Sequence, residues 1–356
     1  MSETMKDVNS GNIRIFEDMI EGAGSILIVT HMKPDGDAMG SALAMHHFLR
    51  NLGKSSRIIL NDPYPPYLSF LAEKAASDSI ITYDGEPAET EAAFAASDLI
   101  ICLDFNAFHR TDRLEHLLSE APGAKVLIDH HLNPARESFA ISFSETEVSS
   151  ASELLYQILK RTVYVNGDAR RLGAECAEAL MTGMTTDTNN FANSVFPSTL
   201  HMASDLLEAG TDRDAILNRL YNQYSENRLR LMGHMMKDLL KITEDGVAYI
   251  VLDRKTQEKY SVEDGDTEGF VNMPLSIAEV KMSILAKEDH DRIRISIRSK
   301  RGTSANRCAG RFFNGGGHEN AAGGRLHVPA DVKDICDVES YIENVTHIFL
   351  NDEDHC

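Results

Sequence analysis

Carboxylates and imidazoles gather at four places along this chain. His31, Asp35 and Asp37 stand in HMKPDGDAMGS, Asp104 directly follows LIICL, Asp129-His130-His131 follows VLI, and Asp187 closes MTTD. Groups of this kind, without a thiolate among them, bind divalent cations. An oxygen-rich set with imidazole suits Mn²⁺ or Mg²⁺ better than structural zinc, and the histidines tilt the choice toward manganese. Asp35 and Asp37 flank Gly36, and two carboxylates so close repel one another unless cations sit between them. His31 with Asp35 can serve one ion and Asp37 a second. Two ions about 4 Å apart, sharing Asp104 and a bridging hydroxide, would clamp the attacking and leaving oxygens of a phosphoryl displacement. The chemistry expected is hydrolysis at a two-metal centre.

Each cluster taken singly has a plainer reading. Pro, Asp and Gly build ordinary solvated turns, Asp104 could cap a helix, and Asp187 could be a polar helix terminus. It is their recurrence at one kind of position that favours a shared site. Adjacent histidines cannot face the same way on an extended chain, so His130 and His131 have separate tasks. One can ligate a metal while the other meets substrate or supports a ligand. His46-His47 lies inside a predicted helix without an acid partner and reads as structural.

Positioning these groups requires strands that end where the groups begin. Ser25–Thr30, Ser56–Leu60, Ile80–Tyr83, Leu99–Leu103 and Val126–Ile128 are short apolar runs, separated by helix-like stretches near 41–52, 66–77, 87–95 and 111–119. That alternation predicts an α/β fold, with a mostly parallel, doubly wound N-terminal sheet and helices on both faces. The strand ends of such a sheet form a crevice. Ser149–Arg161 opens with serines suited to capping a helix, and 169–186 reads as a helix running into Asp187. From about 198 to 242 the pattern is helical with no strand character.

Beyond it, Val247–Leu252 is strand-like and Arg292–Arg298 alternates strictly. Ile293, Ile295 and Ile297 should face a core, with Arg292, Arg294 and Arg298 outward. The chain is thus expected to hold a metal-binding catalytic domain over 1–195, a helical connector over 196–245 and a smaller α/β substrate-binding domain over 246–356. Between Arg292 and His318 stand seven Lys or Arg residues and no Asp or Glu. A solvated basic face would look similar. The run Gly315-Gly316-Gly317-His318 adds to it, because glycines let backbone N–H groups approach phosphate and His318 can donate to its oxygens.

Composition narrows the class. The 356 residues exceed one comfortable core, and 42% hydrophobic with 25% charged residues is ordinary for a globular protein. A net charge of −20 disfavours wrapping long nucleic acid, and leaves room for a small anion held by metals and a local basic pocket. No apolar run approaches the roughly 20 residues that cross a bilayer, and MSETMKDVNS is no secretory signal, so a cytoplasmic address without a membrane partner is expected. Five scattered cysteines without C-x-x-C spacing suggest reduced thiols rather than a disulfide framework or a zinc cluster.

These motifs together resemble the DHH superfamily of phosphoesterases. HMKPDGDAMGS resembles its first motif, Asp104 its second, Asp129-His130-His131 the motif behind the name and Asp187 its fourth. GRFFNGGGHENAAGG is similar to the glycine-histidine motif of the associated C-terminal DHHA1 domain. The resemblance runs through most of the chain and lies nearest the NrnA-like branch of oligoribonucleases and pAp phosphatases, also labelled exopolyphosphatase-related. It implies that His31, Asp35, Asp104 and Asp187 hold one Mn²⁺, and Asp37, Asp104, His130 and Asp187 the other. It places His131 near the scissile phosphate, Asp129 behind a ligand, and Arg298 with the GGGH loop on the substrate as the C-terminal domain closes over the crevice. Asp104, His130 and His131 would then carry the catalysis. Arg110 is a weaker substrate candidate, and Cys308 and the FFN segment have no assigned role.

The leading expectation is a Mn²⁺-dependent phosphoesterase acting on short RNA or small nucleotides such as pAp. A cyclic or linear dinucleotide phosphodiesterase and an inorganic pyrophosphatase or exopolyphosphatase would use a similar centre. Base-stacking aromatics would separate them, with Phe270, Phe312 and Phe313 the candidates. A nucleotide-binding regulator without catalysis should lack a metal ligand, and none is missing. A homodimer is compatible with the sequence.

Overall fold

Short apolar runs with both faces buried become the centre of a parallel sheet. The computed structural model describes residues 7–353 apart from 223, 264, 290 and 291. Within Met1–Gln223, the first of two compact units, six parallel strands follow the chain. They are β1 (Ile26–Val29), β2 (Ser56–Leu60), β3 (Ile80–Thr82), β4 (Leu99–Leu103), β5 (Ala124–Asp129) and β6 (Ile141–Ser144). Their spatial order is β3-β2-β1-β4-β5-β6, and every residue of β1 and β4 is buried.

The helices of this unit are α1 (Ser10–Gly22), α2 (Gly36–Asn51), α3 (Ser69–Ala72), α4 (Pro87–Ala95), α5 (Glu115–Glu120), α6 (Ala151–Arg161), α7 (Ala174–Asp187), α8 (Pro197–Glu208) and α9 (Arg213–Tyr221). Alternate strand residues serve opposite faces. Ile26, Ile28, Ile101 and Leu103 pack with apolar residues of α1, α2, α6 and α7, while Leu27, Val29, Ile100 and Cys102 pack with Phe94, Leu114 and Leu118. Each such side chain contributes about 1.5–3 kcal/mol on full burial. Helices therefore cover both faces, as the alternation predicts.

Several boundaries differ from expectation for local reasons. Helix α2 begins at Gly36 rather than near Ser41 because the Asp35 side chain accepts the N–H groups of Asp37 and Ala38 and starts the helix there. The helix expected over 169–186 is broken at Gly173, whose φ of 85° separates a 3₁₀ turn, Ala169–Leu172, from α7. The stretches near 66–77 and 111–119 are likewise 3₁₀ turns followed by short helices.

The second unit, Tyr224–Cys356, is described by itself. Its helices are α10 (Glu226–His234), α11 (Arg254–Lys259), α12 (Ala305–Phe312) and α13 (Val338–Glu353). Its strands are β7 (Lys241–Ile242), β8 (Val247–Leu252), β9 (Met282–Glu288), β10 (Arg292–Ser299), β11 (Gly316–His318) and β12 (Ala321–His327), ordered β11-β12-β10-β9-β8-β7. Among the described residues of this unit, only β8 and β9 pair in parallel. The short β7 falls inside the tract expected to lack strands, since a π-helical turn at Met235–Leu239 ends the helical run just before it. Ile293, Ile295 and Ile297 pack with Ala305, Cys308 and Ala309 of α12 and with Ile342 and Val345 of α13. The opposite sheet face is covered at β8 and β9 by Phe270 and Val271, which pack on Ile250, Leu252 and Leu285.

Candidate metal centre

Three adjacent strand ends present the ionisable groups. His31 lies just past β1, Asp104 follows β4 and Asp129 ends β5, and these strands are neighbours. Because β1 connects outward to β2 on one side and pairs with β4 on the other, the groups surround the point where strand order reverses. That is where open α/β sheets bind ligands. Asp104 has a φ of 64°, a left-handed conformation unusual for a side chain with Cβ, and its N–H donates to Ile128 O at 3.1 Å. The chain thus turns abruptly as it leaves β4.

Asp35, Asp37 and Asp187 arrive on helices. Asp37 is buried in the first turn of α2, and its carboxylate accepts the N–H groups of Ala151 and Ser152, at 2.6 and 2.9 Å, from the start of α6. Asp187 ends α7. What brings α7 against α2 is the absence of side chains at Gly40 and Gly183. A Cβ on Gly40 would stand 2.7 Å from the Gly183 Cα, and one on Gly183 would stand 2.0 Å from Ser152 Oγ and 2.9 Å from Asp37 Oδ1.

The resulting spacings are informative. His31 Nε2 lies 3.5 Å from Asp104 Oδ2 and 3.8 Å from Asp35 Oδ1. His130 Nε2 lies 3.5 Å from both Asp104 Oδ1 and Asp187 Oδ2. These exceed a good direct hydrogen bond, yet two atoms each about 2.1 Å from one ion can stand up to about 4.2 Å apart. His31, Asp35 and Asp104 form one group whose ligand atoms lie within 4.8 Å of each other, Asp37, His130 and Asp187 a second, and Asp104, His130 and His131 a third.

Local hydrogen bonds orient these atoms. His31 Nδ1 donates to Met32 O at 2.8 Å, which turns Nε2 toward the carboxylates. Asp129, fully buried, accepts from the His131 N–H at 3.1 Å and holds His131 Nδ1 at 2.7 Å. Asp104 Oδ1 is buried and has no hydrogen-bond partner among the described residues.

Proton affinities give the same picture. Burial and the charge of Asp104 push Asp37 up to about 7, and burial followed by Asp37 raises Asp187 well above the carboxylate range. Burial opposes charge on His130, but Asp104 outweighs it and pushes the imidazole up to about 10. His31 is raised in the same way against burial, by Asp104 and Asp35. Asp104, despite burial, is held well below the usual range by His130 and His31. Protons are retained where positive charge is required, which is the condition a divalent cation relieves. The donor set therefore fits hard divalent ions.

In the second unit, Arg298 is partly buried, its Nη1 donating to Ile297 O at 3.0 Å, and burial lowers its guanidinium pKa. Gly316, Gly317 and His318 form the exposed edge strand β11. The three glycines are not equivalent. A Cβ on Gly315 would meet Gly323 O at 1.9 Å and one on Gly317 would meet Ala321 O at 2.6 Å, whereas Gly316 is open. Two of them therefore answer to hairpin packing.

Two of the three candidate aromatics are not available as platforms, and the third is half-buried. Phe313 and Phe270 are buried in the two apolar clusters of this unit, and Phe312 packs edge-on against Phe349. Cys308 is likewise core. His46 and His47 are buried in α2, with His46 Nδ1 2.9 Å from Ser56 Oγ. Arg110 serves the site through its carbonyl, which accepts the Met32 N–H at 2.8 Å. Asp62, just past β2, went unread in the sequence. It accepts the N–H of Lys33 at 2.8 Å, at a residue with φ of 53°, and so pins the loop between His31 and Asp35. Its strand-end position was the available signal.

A doubly wound domain with an acidic, imidazole-bearing crevice at its switch point defines a hydrolase class built around divalent cations. The comparisons make it specific. Residues 25–184 match the DHH family, N-terminal domain, and residues 232–343 match the DHHA1 domain. A solved structure of an exopolyphosphatase-related protein from Bacteroides fragilis is 36% identical, with a TM-score of 0.90 over 99% of this chain and 100% of that one. The bifunctional oligoribonuclease and PAP phosphatase NrnA of Bacillus subtilis (strain 168) is 27% identical over 327 residues, 88% of this chain and 95% of that protein. A probable protein of the same name from Streptococcus mutans is 28% identical, covering 89% and 94%. The chain belongs to the DHH family of phosphoesterases and carries a C-terminal DHHA1 domain. Among the described residues no helix is long and apolar enough to cross a membrane.

Proposed function

We propose that this enzyme hydrolyses RNA fragments of two to five nucleotides, 3′-phosphoadenosine 5′-phosphate, or both. The observation that carries the reading is the buried Asp104 carboxylate, 3.5 Å from both His31 and His130 with one oxygen unpartnered. His31, Asp35, Asp104 and Asp187 would hold one divalent ion, and Asp37, Asp104, His130 and Asp187 the other, with Mn²⁺ the expected species and Mg²⁺ the alternative. Two such ions, when bound, would lower the pKa of a water toward neutral and would neutralise charge that develops on the phosphoryl oxygens.

The chain's own residues do the rest. Asp129 fixes the ring of His131 through Nδ1, which also lies 3.7 Å from Asp104, and the ring so held is the one that would contact the scissile phosphate. Asp35 and Asp37 are immobilised by backbone N–H groups, so the acidic crevice is set before substrate arrives. Residues 1–195 act as the catalytic domain, 196–245 as a helical connector and 246–356 as the substrate-binding domain, where Arg298 and the Gly315–His318 segment grip a phosphate. The relatives named for oligoribonuclease and PAP phosphatase activity align over nearly their whole length, which supports this substrate class. The work is that of a cytoplasmic enzyme.

The likeness to an exopolyphosphatase-related protein favours one second reading, hydrolysis of inorganic phosphate chains. A hydrolysis panel in Mn²⁺ with pAp, pApA, an RNA pentamer, cyclic di-AMP, pyrophosphate and polyphosphate separates the two. Turnover of the pentamer and pAp is expected, and turnover confined to the inorganic substrates would sink the nucleotide reading.

A further inference from the structure

The phosphate grip occupies one row of the second sheet, and strand register places another row beside it. Arg298 on β10 lies opposite Ala321 on β12, which lies opposite His318 on β11. Four residues back along β10, Arg294 lies opposite Arg325 of β12, with Lys287 of β9 on its other side. Arg294 and Arg325 are exposed and belong to the same sheet face as Arg298, because Ile293, Ile295 and Ile297 fill the core on the other.

Two arginines directly opposite on antiparallel strands repel, so the fold gains nothing from this pairing. The floor between the rows is unusual too. Ser296 lies opposite Gly323, and Gly323 lies opposite Gly316. A Cβ at Gly316 or Gly323 would meet nothing nearer than 3.5 Å. Packing does not demand glycine at either position, in contrast to Gly315, Gly317 and Gly324, where a Cβ would collide with backbone. The bare strip therefore runs from the grip to the second arginine pair, with Leu285, Phe270 and Val271 forming an apolar border on the β9 side.

We propose that Arg294 and Arg325 form a second anion subsite, which takes a phosphate of the same nucleotide chain two links away from the phosphate held by Arg298 and His318. Two strand residues advance about 6.8 Å and four about 13.6 Å, so each link of an extended nucleotide chain matches one alternate residue of β10. The strip of Ser296, Gly323 and Gly316 lies beneath the intervening link. Strand β10 then acts as a ruler, since a chain with three or more phosphates reaches both rows while pAp and a dinucleotide fill only the first. This subsite rests on the reading of Arg298 and the Gly315–His318 segment as the primary grip.

The test uses the full-length enzyme with Arg294→Ala and Arg325→Ala combined, beside a control carrying Lys at both positions. The Ala pair should raise KM for a 5′-phosphorylated RNA pentamer about tenfold with kcat unchanged, leave pApA and pAp within about twofold, and melt no lower than wild type. Two lost contacts to a single strand should also reduce the salt slope for the pentamer by about 1.4. The Lys pair should keep most of the pentamer affinity. Equal change for pentamer and dinucleotide, or no change for either, overturns the subsite while leaving the nucleotide reading intact if wild type cleaves both. Failure of wild type to cleave any oligonucleotide overturns both. An equal KM increase for inorganic polyphosphate would overturn the assignment to a nucleotide chain.

Discussion

Asp37 and Asp104 in the N-terminal crevice are 1% and 2% exposed, and their neighbours are other ionisable groups. Arg294 and Arg325 on the C-terminal sheet stand in solvent. Charges of the first kind interact in a medium that screens little, so each group's state depends on all the others. Charges of the second kind are separated by water and salt, and act nearly independently. Geometry in the crevice is accordingly enforced by backbone: helix starts, a left-handed turn and two glycines. Geometry on the sheet face is enforced only by register. Substitutions should therefore be large and cooperative in one place, and modest, separable and salt-dependent in the other.

The largest effect is expected at the shared carboxylate. Asp104→Ala should lower kcat/KM roughly 10³-fold, about 4 kcal/mol of barrier, and calorimetric titration with Mn²⁺ should show lost or sharply weakened binding. Near-normal uptake and turnover would show that the crevice is not one coupled unit. Next is Gly183→Ala, which drives a methyl against Ser152 and the Asp37 carboxylate while leaving every ionisable residue in place. Overpacking of this kind destabilises by about 1–3 kcal/mol, and activity should fall with Asp37 displaced. A melting curve and rate equal to wild type would mean that α2 and α7 do not set the carboxylate's place.

His47 tests buried charge away from the crevice. Burial, helped by Arg50, lowers it to about 4, against an ordinary value near 6.5. The unfolded chain therefore binds the proton more readily, so the stability held above pH 6.5 is lost as pH falls toward 4. At pH 5 the loss is about 2 kcal/mol. Urea unfolding of chelator-treated protein at pH 7 and pH 5 should show it, and His47→Leu should remove that part of the difference. An unchanged difference in the variant would break the assignment. The smallest effect belongs to the sheet face. Arg298→Ala should raise KM about tenfold for pAp and RNA alike, by about 1.4 kcal/mol, and the penalty should shrink at high salt. A salt-independent loss of kcat would place Arg298 with the crevice groups instead.

The crevice motifs are legible because each joins a buried apolar run to a group that burial alone would disfavour. LIICLD can end in a charge only if that charge has partners, and VLIDHH and SILIVTH pose the same problem. The alternation of Arg292–Arg298 is legible for the complementary reason, since it separates a core face from a wet one. The pairings across elements are not. Nothing in GDAMG or MTGMT says that Gly40 meets Gly183, or that Asp37 receives the first N–H groups of α6. Phe270 and Phe313 resemble stacking platforms until the sheet buries them. Arg325, in a glycine-rich segment, cannot be matched to Arg294 without knowing the register of β10 and β12.

Asp35 caps α2 and also faces the place where a cation would bind. A residue with both duties would make helix initiation and ion loading a single equilibrium, because the same oxygen that accepts from Asp37 and Ala38 would be offered to the ion. An ion bound there would work as a clasp on the secondary structure around it. Hydrogen exchange should register this directly: on chelation the amides of Asp37, Ala38, Ala151 and Ser152 should lose protection together, while those of β1 and β4 stay slow.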